Sequence, residues 1–265
     1  KSRSRGLGDV YKRQDLGCLI MQHAEDNELS QNGMMNDGVI ATKLGLQGIP
    51  EVAEKIIIER DLSLLEDFNC RYHISQISSS KSLEVIEKKK DQIDFTTGVS
   101  INNLSLNEND IGDFRTFLKL SPPLRTEEDR QSLIRGINKD LIEVLVSDHK
   151  PEDEESKRLT FSQAATGASG IETLLPLSLE LFHNNSIKLP KIIKLLTSNP
   201  AKVLKIDKGN LSIGNDADFC IVDINKPWIV KKEKMISKSK NTCIEDKKLQ
   251  GKVTNTFVKG IELFK

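Results

Sequence analysis

Three residues of the kind that bind metals or move protons stand at the ends of short apolar runs. His23 closes the run from Leu19 to Gln22 and is followed by two acids, Glu25 and Asp26. Gln76 stands near the end of the run from Arg71 to Ile77. Asp148 follows the run from Ile142 to Val146, in the order Ser147-Asp148-His149. Imidazole and carboxylate are good zinc ligands, and a carboxylate also relays protons, whereas a neutral amide is a poor ligand. One histidine at a strand end is more often a hydrogen-bonded structural residue than a ligand. Three polar residues at three strand ends mark a site, because parallel α/β architectures gather catalytic groups at the carboxyl ends of strands. Asp148 has a second reading, since an aspartate followed by a helix start is often a cap.

The elements that must hold these residues alternate strand and helix from Leu16 onward, the pattern of repeated βα units. Gly48-Ile49-Pro50 opens a helix with a 3.6-residue stripe of Ala53, Ile56, Ile57, Arg60 and Leu64. Arg71 to Ile77 is the next strand, Ser79 starts a helix through Lys90, and Ile93 to Val99 is a third strand. The segment from Ile101 to Arg125, rich in Asn and Pro, is expected to be an irregular loop, and such long loops are usually functional. Thr126 caps a helix over Glu127 to Ile137, with acids in its first turn. Ile142 to Val146 is the fourth strand, and helices over Ile171 to Phe182 and Pro190 to Leu196 follow. From Pro200 the chain changes to short apolar runs with Gly209, Gly214, Gly251 and Gly260, which suggests a small β appendage. Within it IGNDADFCIVD (213–223) has the turn chemistry of a hairpin edge. A closed (β/α)₈ barrel needs eight strands. With four in view, either the sheet is open or the chain is the back half of a barrel.

The bulk properties exclude some functions. The chain has 265 residues, 39 Lys and Arg against 39 Asp and Glu, and a formal net charge of zero. Such a balance gives no electrostatic case for nucleic acid or an anionic membrane surface. No apolar run approaches the roughly 20 residues that span a bilayer. Cys18, Cys70, Cys220 and Cys243 are widely spaced, as expected of free thiols in a reducing cytoplasm. The leader KSRSRGLGDVYKRQ (1–14) is basic, without periodicity or a secretory apolar core, and is expected to be foreign to the fold or disordered.

Several segments, in order, resemble dihydroorotases of the zinc-dependent amidohydrolase superfamily. They are HAED at 23–26, GLQGIPEVAE at 45–54, ERD at 59–61, YHISQIS at 72–78, SPPLRTEEDR at 121–130, SDH at 147–149, SGIET at 169–173, NPAKVL at 199–204 and SKSKNT at 237–242. The resemblance is strongest to degenerate bacterial homologues. It implies an α/β fold, the C-terminal portion of a (β/α)₈ barrel over 15–198 with 199–265 completing a small β domain. The front strands, with the H-x-H that supplies two metal ligands, lie outside this resemblance.

By the same resemblance His23 is a metal ligand, and Asp148 is both a metal contact and the catalytic acid/base. Gln76 occupies the second position of an H-x-x-H and marks a lost ligand. His73, the first position, could replace it only after a register shift or bulge, because strand residues three apart face opposite ways. Ser121 stands in the slot of a substrate-binding asparagine, and Glu152 in that of a histidine that holds the substrate carboxylate. Gly98, Asn102 and Asn103 occupy slots of the family's E-V-T-P-H-H. Loss of a side chain that binds the metal directly should cost more than the roughly 10–100-fold lost when a hydrogen-bond partner of such a ligand is removed. Two carboxylates about 4 Å apart repel by about 4 kcal/mol at an effective dielectric of about 20, so Glu152 should disfavour an acidic substrate. The resemblance therefore implies a catalytically impaired, cytoplasmic dihydroorotase-like protein of de novo pyrimidine biosynthesis. It also implies a scaffold role beside aspartate carbamoyltransferase, and it admits a homo-oligomer. The alternative is an active zinc-dependent hydrolase of dihydroorotate, or of a related hydantoin or allantoin.

Overall fold

Alternating short strands and amphipathic helices bury one apolar face each, and here they do so around a parallel sheet. In this computed structural model, residues 17–68 and 70–264 are described; the basic leader 1–14 lies outside the described residues. Along the chain come β1 (Leu19–Gln22), β2 (Met35–Asn36), α1 (Val39–Leu44), β3 (Gly48–Ile49), α2 (Val52–Asp67), β4 (Arg71–Ile77) and α3 (Ser80–Lys89). Then follow β5 (Thr96–Ser100), α4 (Ile101–Ser105), α5 (Glu127–Asn138), β6 (Val144–Val146), α6 (Glu154–Lys157), α7 (Ile171–His183), α8 (Leu189–Leu196) and α9 (Ser198–Leu204). The last elements are β7 (Phe219–Ile229), β8 (Lys248–Val258) and β9 (Ile261–Phe264). The main sheet runs β1-β4-β5-β6, all parallel. The pair β2-β3 is parallel, and β7-β8-β9 is a separate antiparallel sheet.

The sheet is held by what its strands and helices bury. Ile74, Ile77, Val99 and Leu145 from the strands meet Ile58 and Leu62 of α2, Ile86 of α3, and Leu133 and Ile137 of α5 in one cluster. Each such side chain contributes roughly 1.5–3 kcal/mol by leaving water. The helix starts are fixed chemically. Ser79 Oγ accepts the Ser82 N–H at 3.2 Å, and Thr126 and Asp129 form a reciprocal capping box. A buried polar network locks the turn after β4. Glu54 accepts the Ser78 and Ser79 N–H groups, while Arg125 donates to Ser78 Oγ, Asn36 Oδ1 and the Ile49 carbonyl.

Four expectations need correction. The stretch 101–125 is largely ordered: Ser100 Oγ accepts the Asn102 N–H to start α4, two 3₁₀ turns follow over Glu108–Ile111 and Thr116–Leu118, and the Ser121–Pro122 peptide is cis. Buried Ile101, Leu104, Ile111 and Leu118 outweigh the Asn and Pro content. The segment from Pro200 does not begin as β structure, because Pro200 lies in the first turn of α9, where a missing N–H costs nothing. IGNDADFCIVD is not a hairpin: Phe219 onward is the edge strand β7, paired with β8, and the tight hairpin joins β8 to β9 through Lys259-Gly260. The third strand is Thr96–Ser100, displaced toward the site from the expected Ile93 to Val99.

Candidate functional site

The site forms where β1, β4 and β6 end. His23 lies one residue beyond β1, Gln76 is the penultimate residue of β4, and Asp148 lies two residues beyond β6. The sheet brings these three sequence-identified residues to one edge, and Ser121 arrives there on the loop of the cis proline.

His23 Nε2 lies 3.2 Å from Glu25 Oε2 and 3.1 Å from Ser121 Oγ, and the Ser121 hydroxyl donates to the same carboxylate oxygen at 3.3 Å. The bond to Glu25 raises the His23 pKa, against its partial burial, with smaller contributions from Glu25, Glu54 and Asp148 as charges. In return His23 is the main cause that holds Glu25 down at about 2. Glu25 was visible in sequence only as an acid two residues after a histidine; its pairing through Ser121 was not. The same side-chain nitrogen serves both partners, so the cluster is not a relay through the two ring nitrogens.

Gln76 Nε2 donates to Asp148 Oδ1 at 3.0 Å. Burial raises the Asp148 pKa, while this bond and the nearby His23 and Lys150 act to lower it. Asp148 has φ +48°, a left-handed conformation that aspartate tolerates better than most residues. The cap reading of Asp148 is overturned: the helix that follows is α6, and its N-cap is Asp153, whose Oδ1 accepts the Ser156 N–H at 2.8 Å.

His73 does not take the place of Gln76. The register of β4 against β5 does shift between Ile74 and Ile77, yet His73 is buried with Nδ1 2.8 Å from Thr96 Oγ1. Burial, with Lys90 nearby, pushes its pKa down to about 4. Gly98 packs tightly against β4: a Cβ there would lie 2.4 Å from the Ser75 carbonyl oxygen, so a side chain in that slot would require the backbone to shift. Asn102 and Asn103 are buried, and the Asn103 amide donates to the Pro123 carbonyl at 2.9 Å, behind the Ser121 loop.

Glu152 is half-buried, and its backbone is tied to the C-terminal segment. Its N–H donates to Asn241 Oδ1 at 3.3 Å, its carbonyl accepts from Ser239 Oγ, and its charge favours protonation of Lys157. His149 Nδ1 accepts the Gly170 N–H at 3.2 Å, which makes it a structural acceptor.

A zinc centre takes about four ligands, three of them protein side chains even when catalytic. Among the described residues no group of three His, Cys, Asp or Glu side chains converges on one point. Of the ligand-type groups among the described residues here, His23 and Glu25 are paired with each other and with Ser121, and Asp148 faces an amide N–H. By themselves the described residues do not make up a zinc centre.

This geometry has relatives. The chain is 41% identical to the dihydroorotase of Ehrlichia canis, over 92% of this chain and 55% of that protein. It is 39% identical to the dihydroorotase of Anaplasma phagocytophilum, over 95% of this chain and 57% of that protein. It thus spans a little over half the length of the curated relatives it matches. Its fold superposes on the L-hydantoinase of Arthrobacter aurescens with a TM-score of 0.84 and 25% identity, covering 97% of this chain and 59% of that one. The four parallel strands are therefore part of the amidohydrolase barrel, accompanied by a small antiparallel sheet. The amidohydrolase family pattern matches residues 12–262. With a family match that covers nearly the whole sequence, the chain belongs to the amidohydrolase family.

Proposed function

We propose that the protein is a dihydroorotase-like amidohydrolase of de novo pyrimidine biosynthesis with impaired turnover, serving as a structural partner of aspartate carbamoyltransferase. The observation that carries the impairment is the 3.0 Å bond from Gln76 to Asp148. In a hydrolase of this kind Asp148 would take a proton from the attacking water and pass it to the leaving amide. Here it accepts an N–H from a neighbour that offers neither charge nor a strong ligand. The identity to proteins named dihydroorotase supports the substrate class. The partner and the pathway rest on the resemblance to degenerate homologues. A cytoplasmic setting accords with the reading; no helix among the described residues is long and apolar enough to cross a membrane.

A second reading, an active hydrolase of dihydroorotate or a related cyclic amide, is favoured by one feature. Burial raises the Asp148 pKa, as suits a group that must hold and release a proton. One experiment separates the two. The full-length protein is assayed for dihydroorotate and hydantoin hydrolysis with added zinc, then run with purified aspartate carbamoyltransferase on a sizing column. No turnover with co-elution supports the scaffold reading; turnover without co-elution supports the active one.

A further inference from the structure

Two lysines lie buried under the loop that follows Asp148. Lys157 is 1% exposed and Lys119 is 8% exposed. Among the described residues neither forms an ion pair with a carboxylate. Their ammonium groups are taken up by backbone oxygens instead. Lys119 Nζ donates to the carbonyls of Phe161 (2.9 Å), Ser162 (3.0 Å) and Ala164 (2.9 Å). Lys157 Nζ donates to those of Ala165 (2.8 Å) and Gly167 (2.9 Å). An ammonium is costly to bury without a counter-charge, so an arrangement that directs two of them at one short stretch of backbone fixes the path of that stretch.

The stretch continues into the site. Gly167 N–H donates to the Lys119 carbonyl at 2.9 Å, two residues before Ser121. Lys150 N–H donates to the Ala168 carbonyl at 2.9 Å, and His149 and Ala168 form a parallel bridge next to Asp148. The approach is close: Gly167 has φ +136°, and a Cβ on it would lie 2.6 Å from the Lys150 carbonyl oxygen. Residues 167–170 are thus laced to the Ser121 segment on one side and the Asp148 segment on the other.

We infer that Lys119 and Lys157 are positioning residues, which shape the 161–167 backbone so that its continuation clamps the Asp148 segment against the Ser121 segment. The clamp concerns the geometry of the site and holds whether or not the site turns over. Burial pushes the Lys157 pKa down to about 8, with Lys119 and Lys150 lowering it and Cys243 and Glu152 raising it. At neutral pH the ammonium that makes these bonds is therefore still the main form. Lys119 is likewise lowered by burial. Cys243, whose buried thiol is pushed up to about 12, stays neutral beside them.

The test is hydrogen exchange by mass spectrometry on the full-length protein and its Lys157→Met variant. Loss of charged hydrogen bonds to buried carbonyls should lower protection at least about tenfold in 161–170 and also in 147–150, leaving α2 unchanged. The side-chain amide signal of Gln76, which reports on Asp148, should shift in the NMR spectrum of the variant. Loss confined to 161–167, a uniform loss that includes α2, or an unmoved Gln76 signal each overturns the inference. If the variant does not fold, the wild-type protein decides: 147–150 and 165–170 should exchange through one shared opening with equal denaturant dependence. Independent opening of the two segments overturns it.

Discussion

An amide where an imidazole is expected changes what Asp148 faces. The Gln76 N–H lowers the Asp148 pKa while burial raises it. Replacing Gln76 by leucine should therefore raise the titration midpoint of the Asp148 carboxyl, read by carbon NMR of the labelled side chain; an unchanged or lower midpoint would show that the bond does not form in solution. The residue types at the strand ends were legible from sequence because periodicity marks where strands stop. Their partners were not. Gln76 meets Asp148 across 72 residues of sequence, which no local pattern encodes, and whether Asp148 caps a helix depends on Asp153 doing so first. Lys119 and Lys157 were invisible for a different reason. A lysine in a polar segment reads as a solvated charge, and only the folded path reveals the carbonyls around it.

At the level of elements, β4 holds a buried neutral histidine, and the turn after it is hydrogen-bonded to a buried arginine, Arg125, from the segment before α5. The His73 pKa falls from the ordinary 6.5 to about 4. The unfolded chain then binds a proton that the native state refuses, so stability is complete above about pH 6.5 and is lost as pH falls toward 4. The loss is on the order of 3 kcal/mol if the whole shift is realised. Urea midpoints for the wild type should fall over that window more steeply than those of a His73→Gln variant; parallel curves would contradict the assignment. Arg125 is 3% exposed and bonds to Ser78, Asn36 and Ile49. Arg125→Met leaves Ser78 Oγ, Asn36 Oδ1 and the Ile49 carbonyl without their buried donor and should cost about 1–3 kcal/mol for each acceptor left unpaired, read in denaturant unfolding; a total cost below about 1 kcal/mol would mean the network relaxes around the loss. Helices α3 and α5 were readable because Ser79 and Thr126 announce them. The 101–125 segment misled because its asparagines read as breakers, whereas Asn107 is a cap and Asn103 a buried bridge to Pro123.

For the whole molecule, four parallel strands in the order β1-β4-β5-β6 carry the site and a three-stranded antiparallel sheet stands apart from them. The βα alternation made the parallel sheet legible, since each helix must return the chain for the next strand. The antiparallel sheet was legible only as a class: the long connection between β7 and β8 leaves no local turn signal to set their pairing. The proposed impairment requires that the strand-end site bind zinc weakly, with Gln76 standing where the family resemblance puts a histidine ligand. Calorimetric titration of zinc into the full-length protein and its Gln76→His variant tests it most directly. Weak or no binding to the wild type is expected, with affinity higher by at least about tenfold in the variant. Tight, stoichiometric binding to the wild type, unchanged by the substitution, would contradict it.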